Sequence, residues 1–404
     1  MKNKFQTWTA VTMITVLFAC DNKSGQINYL EETPVVATRT LIDGEEMIEL
    51  DPALPKDTMV IPLSYFTEEL QIIKLDGKDE ALTGAPYAYV SDNYIMTGMS
   101  GNTPFKLFDR QGNYLANVGS IGQGPGEYRS VYAAKIDEAS QRIYMLPFFG
   151  SQLLAYDFEG KACPSIPLAH ERVVGKFALR GDTLLVLASP QPKNFTSCVW
   201  TQDLDGNLIH EFPTERLDFD FRGVTVVSNQ NEDKHVDLSF WLPNARLDSL
   251  YEVNLEKGKL IPRFTAHFKG DALKPHMYGE LPGYFVGEAM GQWWQSTEDK
   301  DGNIQQRLAD DAPAYYIVDK QTLKGAFYAI ENDFLGGERL ENPLALEDGC
   351  YTTCLDPGEL SDQLEKALRS DRLSEQLRKH LTKVQADITE NDNNYILYAK
   401  LKQR

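Results

Sequence analysis

Histidine is scarce in these 404 residues, and the short patterns that would use it are missing. The six histidines stand at 170, 210, 235, 267, 276 and 380, without a His-x-His or His-Glu-x-x-His pair. A metal site built on one local motif is therefore excluded. A site gathered from separate parts of a fold stays open, with His235 and His276 the residues to follow. No Gly-x-Ser-x-Gly segment offers the strained elbow of a serine hydrolase. Beyond Cys20, cysteine occurs only at 163, 198, 350 and 354. "CYTTC" at 350–354 lacks the second pair of a zinc ribbon, and its two side chains on one strand face would lie roughly 13 Å apart, too far for a disulfide. Buried free thiols are expected, with no cofactor and no resident metal. Positive charge is short as well: 40 Lys and Arg face 59 Asp and Glu, and the net −19 repels nucleic acid.

What is present begins with "MKNK" and the apolar run "FQTWTAVTMITVLFAC". That is the build of an export signal, too short for a permanent spanning helix. "LFAC" resembles a bacterial lipobox, which makes residues 1–19 a signal peptide and Cys20 the lipidated first residue of the mature protein. The membrane is then a partner through the lipid, held stably only by more than one acyl chain. Losing residues 1–19 removes two lysines and no acids, so −19 becomes −21. Residues 20–60, with "DNKSGQ" and "DPALPKD", read as the lipidated cysteine, a tether and a lead-in. Residues 61–404 read as one folded domain.

One turn recurs through that domain. "LFDRQGNYL" (107–115) is followed by "AYDFEGKAC" (155–163), "TQDLDGNLI" (201–209), "YEVNLEKGKLI" (251–261) and "YIVDKQTLKGAF" (316–327), with a weaker "IIKLDGKDEAL" at 72–82. Each joins two alternating stretches through an acidic or amide residue and a glycine, a hairpin signature. The markers Asp109, Asp157, Asp203, Asn254 and Asp319 lie 48, 46, 51 and 65 residues apart. A period near 45–50 made of hairpins predicts four-stranded propeller blades. Blades one and two resolve strand by strand, and blades three to five centre on 174–212, 222–268 and 284–331. The 65-residue interval predicts an insertion at "KDGNIQQRLADDA" (300–312). Proline in "PSIPL" and "LIPRF" suits outer, edge strands.

A sixth blade needs both ends of the chain. "EELQIIKL" (68–75) pairs with "NNYILYAKLK" (393–402) to close the ring, and 341–356 supplies the inner strands. Between them, 357–390 is helical: Asp356, Pro357 and Glu359 form an N-terminal signature, and a phase slip at Ser370–Arg372 predicts two helices packed on one side of the propeller. The fold class is therefore all-β, a six-bladed β-propeller with a C-terminal helical insert and closure by N- and C-terminal strands.

The segment 107–146, its Gly122–Tyr128 core, the late helices and the closing "DNNYILYAKLK" resemble the lipoprotein family of six-bladed β-propellers common in Bacteroidota, distantly similar to NHL-repeat propellers. Asn394 stands where many members carry proline. The resemblance covers roughly 60–404 and implies a lipid-anchored exported propeller, with little said of activity.

Two groups are candidates for binding. The loop Gln123, Gly124, Pro125, Gly126, Glu127 and Tyr128 returns the chain from rim to axis, so it is a joint or, through Glu127, part of the axial mouth; no Lys-Ser/Thr follows to make it a phosphate cradle. Trp241, Trp293 and Trp294 near loops could stack on a sugar or fill a partner's pocket, or pack inside blades. "TEDKDGNIQQRL" has Thr297 and Leu308 where a calcium loop needs acids, so it reads as a solvated turn. The function this supports is a ligand- or protein-binding module lipid-anchored at the cell envelope, facing the periplasm or the surface, its partner a small molecule, glycan or envelope protein. The alternative is a propeller enzyme, saccharide-active or a metal-dependent lyase, at the axial mouth. Clustered His or carboxylates at the axis would favour the enzyme.

Overall fold

Each recurring marker closes its turn with its own side chain. The Asp109 carboxylate accepts from the backbone N–H of Gln111 at 3.0 Å and of Asn113 at 2.9 Å. Asp157 does the same for Glu159 and Lys161, Asp203 for Asp205 and Asn207, and Asp319 for Gln321 and Thr322. Asn254 accepts from Lys257 at 2.8 Å. These are Asx turns, which satisfy the backbone where the ladder stops. The glycine has a second task besides its positive φ. A Cβ on Gly112 would stand 2.1 Å from the Lys74 carbonyl oxygen, and one on Gly160 would stand 1.7 Å from that of Asn117. The turn of each blade thus rests directly on the outer strand of the blade before it.

The computed structural model describes residues 27–403 apart from 85–86, 100, 102, 190–197, 214–224, 228–235, 242–248, 268–275, 290–291, 299–303, 311–313 and 343–345. Six antiparallel blades surround an axis. Blade one comprises Tyr87–Val90, Tyr94–Gly98, Phe105–Asp109 and Tyr114–Val118; blade two comprises Val131–Asp137, Arg142–Pro147, Gln152–Tyr156 and Ala162–Pro167. Blade three runs from Gly175 to Glu211 and blade four from Thr225 to Ala266. Blade five begins with His276–Leu281, earlier than the expected 284, and ends with Gly325–Asn332. Its insertion is a hairpin, Gln292–Glu298 with Ile304–Asp310. Blade six is Leu346–Glu347, Cys350–Leu355, Tyr395–Lys400 and, from the other end of the domain, Gln71–Lys74.

A blade buries both faces, so its middle strands read as continuous apolar runs rather than alternating ones. "RIYMLP" shows the logic. Ile143 and Met145 point into the core shared with blade one, while Tyr144 and Leu146 point into the core shared with blade three. The described interior is accordingly a ring of six cores, one between each pair of successive blades. The two helices, Pro357–Arg369 and Glu375–Asp387, join the core between blades five and six through Leu360, Leu364, Leu377 and Leu381. The capping box at Asp356 and Glu359 is formed as expected. No helix among the described residues is long and apolar enough to cross a membrane.

The lead-in differs from the expectation. Residues 27–60 are part of the folded body, while 20–26 lie outside the described residues. Ala37–Ile42 and Glu45–Leu50 form a hairpin that adds to blade four, and Thr58–Pro62 adds in parallel to blade five. Val36, Ala37, Ile48 and Leu50 are buried there. The strand with Pro262 is consequently not an edge. Its partner pairs only at Phe264 to Ala266, past the proline, so the missing N–H is never needed.

Asn393 ties the closure. Its side chain donates to the carbonyls of Asp76 and Ala81 at 2.9 and 2.8 Å and accepts from the N–H of Thr83 and Asn394 at 3.1 and 2.9 Å. It is 2% exposed. Asn393→Ala strands buried backbone groups and is expected to cost about 3 kcal/mol, read as a lowered urea midpoint at unchanged m-value.

Candidate functional site

The loop Gln123–Tyr128 is a joint. Ser120–Ile121 pairs in parallel with Glu127–Tyr128, and the Glu127 carboxylate accepts from the Gly124 N–H at 2.8 Å inside its own loop. The Tyr128 hydroxyl donates to the Val118 carbonyl at 2.7 Å and accepts from the Phe105 N–H at 2.8 Å. Burial pushes that phenol up to about 12. Tyr156 donates to the Gly126 carbonyl at 3.0 Å. With its amide oxygen turned toward Arg129, Gln123 accepts from both guanidinium nitrogens at 3.1 and 3.2 Å. The polar groups of the loop are largely spent on holding blade two against blade one.

The other candidates do not converge. Trp241 ends a strand of blade four and Trp293 and Trp294 lie in the blade-five hairpin, with side chains outside the described residues. His235 and the segment 299–303 lie outside them too. His276 is buried beside Tyr278 on blade five, His170 bonds Glu211 within the cleft of blades two and three, and His210 bonds the Gly258 carbonyl. Among the described residues no three His, Cys, Asp or Glu side chains are grouped to hold a metal. The four described cysteines are free; Cys198 is buried and its thiol is pushed up to about 12 by that burial. At the axis, Lys135 of blade two is drawn below its ordinary range by burial, with Asp348 of blade six opposing and Arg180 of blade three reinforcing the shift. The described axial groups are thus of mixed charge.

A site that the sequence did not disclose lies at the seam of blades six and one. In a four-stranded meander the first and third turns emerge at the same end. At that end a groove of about 860 Å³ opens between Gln71 and Tyr398 of blade six and Asp92 and Arg110 of blade one, reaching Phe334 and Lys400. Arg110 is the residue after the turn marker Asp109. In blade two the equivalent Phe158 packs on Tyr94 of blade one, ring centroids 4.4 Å apart, and in blade three Leu204 fills the cleft with blade two. The position is an interblade wedge, and at the seam the wedge is a cation. Its guanidinium donates to the Gln71 side-chain oxygen at 2.9 Å and lies 4.3 Å above the Tyr398 ring centroid. Aligning the repeats on their markers exposes the exchange of Phe and Leu for Arg; the remaining walls, drawn from 64 to 402, have no such signal.

A family model described as a domain of unknown function, DUF4934, matches residues 45–400. No curated protein matches the sequence. Among solved structures, a Bacteroides fragilis protein described as exported is similar at 15% identity, with a TM-score of 0.58, over 86% of this chain and 98% of its own. A DUF4221 member from Bacteroides vulgatus is similar at 10% identity and a TM-score of 0.42, over 83% and 97%. These likenesses concern the propeller fold.

Gly122 tests the joint. A Cβ there would fall 1.9 Å from a Glu127 carboxylate oxygen. Gly122→Ala is expected to displace the Glu127 carboxylate from the Gly124 N–H and to destabilise by about 1 kcal/mol, while Glu127→Gln, which keeps an acceptor, costs less; parallel thermal melts rank the two.

Proposed function

We propose, from the premise that the chain belongs to the DUF4934 family, that it is an exported binding module of the cell envelope, anchored by lipid on Cys20 and taking its ligand in the seam groove. The groove carries the reading. Its volume of about 860 Å³ falls in the range of small-ligand sites, ~300–1,000 Å³. Its walls combine cations, carboxylates and an aromatic face, a chemistry of recognition by charge and hydrogen bond. Strands of blade six carrying Gln71, Tyr398 and Lys400 form one wall, and the turns of blade one at Asp92 and Arg110 form the other. Export is supported by the apolar leader and by the described export of the Bacteroides fragilis neighbour, and the anchor by "LFAC" before the mature start.

Two outcomes are expected. Cys20→Ala moves the protein from the membrane to the soluble fraction and abolishes incorporation of an alkyne-labelled fatty acid; unchanged labelling would remove the anchor from the reading. A groove ligand supplied at a hundred times its Kd stabilises the mature protein by about 2.7 kcal/mol, seen as an upward shift in a melt across a panel of saccharides, sugar acids and amino acids.

A further inference from the structure

The geometry points to Arg110 as the anchor of a carboxylate-binding subsite, and to a small carboxylate-bearing molecule with neighbouring hydroxyl or ammonium groups as the ligand of the seam groove. This rests on the groove being a binding site.

Arg110 is 9% exposed, yet no Asp or Glu among the described residues lies within ion-pairing distance of it. Its Nη2 is held by Gln71 and its face by Tyr398, both neutral partners. Nη1 is buried and has no hydrogen-bond partner. A buried cation lacking a counter-charge is costly, and so is a buried N–H without an acceptor. The lack is also felt in its titration: burial lowers the guanidinium from its usual range, with Tyr398, Cys350 and Asp92 only partly opposing. One ligand group, an oxyanion entering from the groove, supplies both the charge and the acceptor. Gln71 and Tyr398 already fix the guanidinium plane, so the fork is set before the ligand arrives.

The rest of the wall narrows the class. Glu68, Glu69, Asp92 and Asp333 also line the groove and outnumber its cations, Arg110, Lys400 and Lys402, so a dianion is disfavoured more than a monoanion. That favours a carboxylate over a phosphate. The same carboxylates can accept from hydroxyl or ammonium groups beside the ligand's acid, as in sugar acids and amino acids. At the same position Phe158 and Leu204 are apolar and Lys320 has a carboxylate partner in Glu280. Arg110 is set apart by facing a groove instead.

The test is calorimetric titration of the mature protein with D-glucuronate, L-glutamate, glucose and inorganic phosphate, for wild type, Arg110→Gln and Arg110→Lys. One of the two carboxylates is expected to bind, at least tenfold tighter than glucose and phosphate, with affinity falling at least tenfold in Arg110→Gln and partly restored in Arg110→Lys. Urea denaturation of Arg110→Gln is expected to show stability equal to or above wild type, because an uncompensated buried charge is gone; a merely structural arginine would lose stability instead. Tighter phosphate binding, or carboxylate binding undiminished in Arg110→Gln, overturns the assignment. So does failure of both carboxylates to bind wild type. If glucose or another neutral ligand then binds and shifts the melt, the groove survives as a binding site and only the carboxylate subsite falls.

Discussion

A ring of blades is only as sound as its last joint, and here that joint is made by two strands more than three hundred residues apart. Tyr395 to Tyr398 pair with Lys74 to Gln71, so the strand preceding blade one becomes the outer strand of blade six. Every other interblade core lies between blades consecutive in sequence, although those of blades four with five and five with six also take up residues from 30 to 70. Without the closing pair, blades one and six would each expose an apolar face and an unpaired edge. The closure is accordingly reinforced with polar groups. Asn393 holds the link from Asp76 to Thr83 with three hydrogen bonds and accepts a fourth from Asn394, and Lys74 pairs with Asp392 at 2.7 Å. Asn394 contributes its own N–H to this knot, a bond that proline could not make.

The seam that needs this reinforcement is also where the groove opens. At the junctions of blades one with two and two with three, the residue after the turn marker is apolar and packs against the preceding blade. Between blades six and one the cleft stays open, because blade six has been assembled from both ends and its outer strand arrives with Gln71 rather than with an apolar partner. Closure from both ends thus sets a buried cation, in place of an apolar wedge, on the wall of this groove.

Much of this architecture was legible because the repeat has local causes. The Asx marker and the glycine four-strand rhythm identify the outer turns, and the apolar middle strands follow from two-sided burial. The lead-in was misread although its signal was of the same kind. Asp43 and Gly44, both at positive φ, make a hairpin turn between two alternating stretches. The tether reading rests on "DNKSGQ" and "DPALPKD", the polar stretches on either side of that hairpin, and passes over the hairpin between them. The groove was less legible for a different reason. Gln71, Arg110 and Tyr398 meet only through closure, and nothing local to any one of them announces the other two. The axial-loop candidate had the opposite fate: Gly122–Tyr128 was conspicuous in sequence because a tight joint needs unusual residues, and conspicuousness belonged to the joint.

The placement of the first strands bears on the order in which the molecule can form. The hairpin of Ala37–Ile42 and Glu45–Leu50 forms locally, but it and the strands Thr58–Pro62 and Gln71–Lys74 dock only on strands of blades four, five and six that lie between residues 259 and 400. Such distant pairings carry a large loop-closure cost and form late. The strands ahead of blade one therefore have no complete set of partners until nearly all of the chain has been made, although blade one itself is complete by Val118. Whenever the chain emerges N-terminus first, these strands must wait for partners made last, and the ring locks only when the C-terminal strand is in place.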